Sequence, residues 1–212
     1  MTEYENEPIR GLPGLLPAGE TILWQGGPDW RMLARTAFRT RLVAGYFILL
    51  AAWALGNAAM THGSYLGVEM TVSLGVVGVA LLHLLAWAAA RTTVYTLTNR
   101  RIVLRIGIAV PKCVNLPLGM IGSVDLATRA DGSGDVALVI AGPAKLGILA
   151  LWPHARPWKI TVPQPMLRAI PDAQGVASMI ARSCRALSPE GRGVAVESAA
   201  EPTPAFAQAA AA

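Results

Sequence analysis

At 212 residues the chain has room for one small soluble domain beside a membrane segment, and little else. Apolar residues make up 53% and charged residues only 15%, which leaves few acids and bases from which an active site could be built. The net charge of +5 lies largely in arginines beside two apolar runs, without the basic and aromatic interleaving that grips single strands, so nucleic acid is excluded as a partner.

Residues 1–20 carry Pro8, Gly11, Pro13, Gly14, Pro17 and Gly19, which predict a flexible N-terminal arm. Its acidic start (Glu3, Glu5, Glu7) lacks the form of a cleavable signal, so the first apolar run is expected to be an uncleaved anchor. Across 21–41, Thr21 to Gln25 reads as a short strand that Gly26-Gly27-Pro28-Asp29 stops. An amphipathic helix is expected next, from Trp30 to Arg41. Its Trp30, Leu33, Ala37 and Phe38 would rest on lipid, with Arg31, Arg35 and Arg39 at the headgroups.

Residues 42–90 hold the two apolar runs, Leu42 to Thr61 and Met70 to Ala90, each about the twenty residues that a membrane span requires. The loop from His62 to Glu69 is short enough to force an antiparallel transmembrane hairpin. Arg31, Arg35, Arg39 and Arg41 precede the hairpin and Arg91, Arg100, Arg101 and Arg105 follow it, while the loop has no Lys or Arg. The positive-inside rule then puts both termini in the cytoplasm of an inner-membrane, multi-pass protein.

Within 91–187 the period changes. Strands are expected at Thr92 to Leu97, Ile102 to Ile108, Lys112 to Leu116, Ile121 to Thr128, Asp135 to Ala141, Leu146 to Trp152 and Trp158 to Val162. Short strands split by Gly and Pro predict an antiparallel sandwich or partly open barrel in the cytoplasm. A helix starting at Pro171-Asp172 and reaching Leu187 should cap it, with Val176, Met179, Ile180 and Leu187 on one face. The tail 188–212, rich in Pro, Glu and Ala, is expected to be disordered. The fold class is thus an α+β membrane protein.

The segment YTLTNRRIVLRIG, Tyr95 to Gly107, resembles the bacterial pleckstrin-homology-like domain, in which a Tyr-x-x-Thr-Asn-x-Arg corner follows membrane helices. Thr98 and Asn99 are expected to form the turn, Asn tolerating a left-handed backbone there. Arg100, Arg101 and Arg105 would then join Arg31, Arg35 and Arg39 as a lipid-facing basic set. LPAGETILWQGGPDW (Leu16 to Trp30), RADGSGDVAL (Arg129 to Leu138), LWPHARPW (Leu151 to Trp158) and PQPMLRAIPDA (Pro163 to Ala173) together resemble the PuhB family. That resemblance implies an assembly factor for the photosynthetic reaction centre of purple bacteria, sited in the photosynthetic membrane. It also implies reaction-centre polypeptides and other assembly factors as partners, and no enzymatic activity.

The residues themselves offer no catalytic set. His62, His83 and His154 fall in the loop, a span and the soluble domain; Asp125, Asp131 and Asp135 lack a paired-carboxylate context. No GxGxxG or GxSxG occurs, and Cys113 and Cys184 lack metal-ligand spacing. His83, titratable within a span, reads either as an axial ligand to the magnesium of bacteriochlorophyll or as a bond to the neighbouring helix, for example to Asn57. Gly75, Gly78, Ala80 and Ala86 give a smooth face for the first span or a partner's helix. A homo-oligomer stands among the partner expectations. LWPHARPW reads either as an aromatic docking loop, with Trp152, His154, Arg156 and Trp158 as partner-binding residues, or as tryptophans that close the core. Two alternative functions stand beside the assembly factor: a module sensing anionic lipid headgroups, and a bacteriochlorophyll carrier acting through His83.

Overall fold

The computed structural model describes residues 9–108, 110–142, 147–187 and 196–198. β1 (Ile22–Gly26) leads to α1 (Trp30–Thr36) and then to two long helices, α2 (Thr40–Thr61) and α3 (Leu66–Thr92). Both are long and apolar enough to cross a membrane, at roughly 33 and 40 Å by the rise per residue. Only 6% and 17% of their most apolar stretches are buried, whereas core helices of a soluble protein are mostly covered. They pack as an antiparallel pair. Gly75 makes the close approach: a Cβ there would meet the Cβ of Phe47 at 2.9 Å.

The segment before α2 departs from its expected form. Asp29 caps α1, its carboxylate accepting from the backbone N–H of Arg31 (2.7 Å) and Met32 (3.1 Å). The helix stops at Thr36, and Arg39 takes φ 49° before α2 begins, so Trp30 to Arg41 is not one continuous helix. Its apolar face is not turned to lipid either. Leu33, Ala34 and Phe38 are buried against Ala86 and Ala89 of α3 and against Ala169. Burial of apolar area at about 25 cal/mol/Å² favours this protein–protein packing wherever a matching face exists. Arg31, Arg35 and Arg39 remain exposed, as expected.

After α3 come β2 (Val94–Thr98), β3 (Arg101–Ile106), β4 (Lys112–Pro117), β5 (Ile121–Thr128) and β6 (Gly134–Ile140). The helical turn α4 (Ile148–Leu151), β7 (Met166–Ile170), α5 (Ala173–Leu187) and β8 (Val196–Ser198) complete the chain. One sheet runs β1-β2-β3-β4 and the other β7-β6-β5-β8. The pairs are antiparallel except β5 with β8, which is parallel, and no barrel closes. Tyr95, Leu97 and Leu104 from one sheet meet Val124, Val136 and Leu138 from the other in a single core, which Val176, Ala177 and Ile180 of α5 cover. Leu187, expected on that face, is exposed.

Four expectations are corrected. Leu146 to Trp152 is not a strand: its described part is the turn of helix Ile148–Leu151. Trp158 to Val162 forms no strand, and β7 lies later, between Pro165 and Pro171. The N-terminal arm is not free over its described residues, since Leu12 and Glu20 are buried. Of the tail expected to be disordered, Val196–Ser198 pair with β5, and the rest lies outside the described residues.

Candidate functional site

The loop Leu151 to Trp158 connects α4 to the approach of β7. Backbone bonds hold it: His154 N–H donates to Leu151 O (2.6 Å), Met166 N–H to His154 O (2.8 Å) and Arg156 N–H to Gln164 O (2.9 Å). The two tryptophans point outward, Trp152 56% and Trp158 89% exposed. Trp152 also meets Phe38 edge to face at 5.5 Å, so the loop lies beside the start of α2. The alternative in which both rings fill the core does not fit this exposure.

His154 behaves differently: it is wholly buried, out of a partner's reach. Its bonds can be assigned proton by proton. Thr93 Oγ1 gives its hydrogen to Ala89 O (2.7 Å), so toward His154 Nε2 (3.1 Å) it accepts. The ring therefore carries its proton on Nε2, and Nδ1 accepts from the Tyr95 hydroxyl (2.7 Å). Tyr95 Oη in turn accepts the N–H of Arg168 (3.2 Å). The chain of bonds runs from β7 through the core to the last turn of α3. Burial, with the Arg168 charge added, pushes the His154 pKa down to about 3, which keeps the ring neutral. The sequence carried one faint signal of this role: Thr93, in extended backbone at the end of α3, and Tyr95 on β2 are two apart and present hydroxyls to the same side.

Arg168 is 7% exposed; its Nη1 donates to Pro153 O (3.1 Å), and its Nε has no hydrogen-bond partner. Among the described residues no carboxylate pairs with it. Arg156, expected at a docking surface, is half-buried and ion-paired to Asp125, with Gln164 Oε1 at 3.0 Å. Asp135 joins Arg129 (2.6 Å) to the backbone N–H of Ala169 (2.8 Å), and Ala169 O accepts from Asp29 N–H (2.8 Å). The loop, β7, α1 and the end of α3 are thus fastened to one another.

The Thr98–Arg101 corner is a turn, as expected, but for different reasons. Thr98 Oγ1 accepts from the N–H groups of Arg100 (3.2 Å) and Arg101 (3.0 Å) and donates to Glu20 (2.8 Å). Asn99 does not have a left-handed backbone. It secures the arm instead, accepting from Thr21 N–H (3.1 Å) and donating to Gly19 O (2.9 Å). Arg101 is not free for lipid: its Nε and Nη2 grip Glu20 at 2.8 and 3.1 Å. Arg100 is exposed at the same corner. Arg105 stands opposite Val94, next to the exit of α3, so the three arginines do not form one group.

His83 donates from Nδ1 to Val79 O of its own helix (2.8 Å), not to Asn57. The accepting carbonyl fixes the tautomer, leaving Nε2 as a lone pair able to ligate a metal. At helical spacing it shares the face of Val72, Val76 and Val79, which line an apolar groove of about 420 Å³ with Ala44, Phe47 and Ala51. Of the small residues, Gly75 and Ala86 are used inside the protein, a Cβ added at Gly78 would meet nothing within 4 Å, and Ala80 lines that groove. Among the described residues no three His, Cys, Asp or Glu side chains gather where a metal could bind.

The chain is similar to an uncharacterized 23.7 kDa protein in the puhA 5′ region of Rhodobacter capsulatus, 38% identical over 189 residues, covering 87% of this chain and 88% of that one. No solved structure matches it. The family model described as Bacterial PH domain matches residues 40–183, which takes in both long helices, the strands β2 to β7 and most of α5. The chain belongs to the bacterial PH domain family.

Proposed function

We propose that this chain is a membrane-anchored assembly factor for the photosynthetic reaction centre, acting by docking and not by catalysis. The match over nearly the whole chain to a protein named for its place beside puhA, a reaction-centre gene, carries this reading. The structure supplies a surface for it. Trp152 and Trp158 are exposed on a loop whose backbone is tied to β7 and whose base is the buried His154 bond chain. A large aromatic held rigid before binding loses little entropy when a partner covers it. A photo-crosslinking residue at position 158 should capture reaction-centre polypeptides or companion assembly factors in native membranes. Recovery of neither, with the protein present and folded, contradicts the docking role.

In this reading α2 and α3 cross the inner membrane as a hairpin, with the arginine-rich flanks in the cytoplasm. Reporter fusions at Gly63 should report the periplasm, and fusions after Leu187 the cytoplasm. An exported C-terminal fusion would mean that the sandwich lies on the other side.

A further inference from the structure

A titratable ring inside a membrane span is costly unless it has a partner, and His83 is half-buried in α3. Its Nδ1–H is taken by Val79 O (2.8 Å), which leaves Nε2 with a bare lone pair and no hydrogen-bond donor among the described residues. Histidines that ligate metals are held in this way, one ring nitrogen on a backbone carbonyl and the other free. Among the described residues no three His, Cys, Asp or Glu side chains gather, so the chain offers no cage for a bare ion. The metal has to arrive with its other positions already filled, as it does in a metallotetrapyrrole.

The surroundings suit a flat, largely apolar ring. Gly75 lies against Phe47, seven residues into α2 from Thr40, and His83 follows Gly75 by eight. In the antiparallel pair the imidazole is therefore level with the start of α2, about 12 Å along the axis from that contact. Asn57 sits near the far end of α2, out of reach. Toward Gly75 the same face of α3 runs into the apolar groove of about 420 Å³ that Val76, Val79 and Ala80 share with Ala44, Phe47 and Ala51. That volume lies within the ~300–1,000 Å³ range of ligand sites. In the other direction Trp87 stands one turn and Arg91 two turns on, about 6 and 12 Å further along the axis. The Arg91 guanidinium lies 5.4 Å over the indole of Trp87, which is 44% exposed. Arg91 has no carboxylate partner among the described residues. One helix face thus carries, in order, an apolar groove, a ligating nitrogen, an aromatic ring and a cation.

We infer that His83 is the axial ligand to the central metal of a membrane-embedded tetrapyrrole, seated on the α3 face between the groove and Trp87. The Nε2 lone pair fills the open axial position of the metal, and no proton or electron is transferred. An apolar tail fits the groove, and an acidic group on the edge of the ring fits Arg91. A magnesium chlorin with esterified side groups and a haem with free carboxylates share the ligation and differ at that edge. This rests on the membrane crossing of α2 and α3 proposed above and not on the docking of a polypeptide.

The test uses the full chain in mild detergent, stripped of pigment and titrated separately with bacteriochlorophyll a and with haem, binding being read from the absorption bands. At least one of them should bind saturably, one per chain. His83→Leu should weaken that binding at least tenfold and leave the chain inserted and folded, since Leu suits a span. His83→Gly should bind only when imidazole is added, a rescue that a packing role would not give. Arg91→Gln should weaken haem about tenfold, the loss of a charge-assisted hydrogen bond, and leave the esterified chlorin unchanged. His62→Gln, in the loop, should change nothing. Saturable binding of neither compound, or binding that His83→Leu leaves untouched, overturns the site. A failed hairpin would show in the reporter fusions, and a failed docking role in the crosslinks, so the three outcomes separate.

Discussion

Lowering the pH from about 6.5 to 4.5 should destabilise the folded chain by about 2–3 kcal/mol through His154 alone. Buried and beside Arg168, the ring does not take a proton until about pH 3, whereas the unfolded chain takes it near the ordinary value of 6.5. The unfolded state therefore binds more protons throughout that interval, and stability falls as pH falls. Each pH unit is worth up to about 1.4 kcal/mol. Glu20, held below the usual carboxylate range by Arg101 and Thr98 against its burial, adds a loss of the same sign only below about pH 4.5. The check is denaturant unfolding in micelles, followed by near-ultraviolet dichroism. His154→Gln should lower stability at pH 7, because Tyr95 and Thr93 lose well-placed partners, and should flatten the slope. An unchanged slope in that variant would mean that another group titrates.

The second large effect is expected at the N-terminal arm. Glu20→Ala removes the carboxylate that takes two bonds from Arg101 and one from Thr98. The Glu20 side chain is almost fully buried and that of Arg101 about 30% exposed, so the loss should be about 2–4 kcal/mol, short of the fully buried case. Asn99→Val, which frees Gly19 O and Thr21 N–H near the surface, should cost about 1–2 kcal/mol. Both variants should lower the amount of protein in membranes. If Glu20→Ala accumulates normally, the arm is not structural.

Much of the fold was legible in the sequence. The two apolar runs became α2 and α3, and Ile121 to Thr128 is the strand β5. The β2–β3 hairpin followed from β-branched and aromatic residues on either side of Thr98–Arg101. The strand β7 was not visible because Met166–Ile170 is buried throughout and shows no alternation. Leu146 to Trp152 looked like a strand because a short apolar run has no distinguishable period. The site was half legible. Trp152 and Trp158 could be picked out by type, but His154 belongs to the core, and only its partners at Thr93 and Tyr95 show it. The Glu20–Arg101 pair joins residues 81 apart, a contact that no local pattern announces. The helix before α2 had the right amphipathic pattern; that its apolar side meets Ala86, Ala89 and Ala169 depends on the tertiary fold.

The docking claim is tested most directly in the native host, with the chromosomal gene deleted and replaced by the double variant Trp152→Ala, Trp158→Ala. An immunoblot of membranes is read beside their near-infrared absorption spectrum, with Glu20→Ala as the folding control. Both rings are exposed, so the double variant should be present at near wild-type level. Truncating two interface anchors typically costs ~2 kcal/mol or more, roughly thirtyfold in affinity, and reaction-centre absorption should fall accordingly. Wild-type absorption at a normal protein level would contradict the docking surface, and depletion as severe as in Glu20→Ala would return the two tryptophans to a structural role.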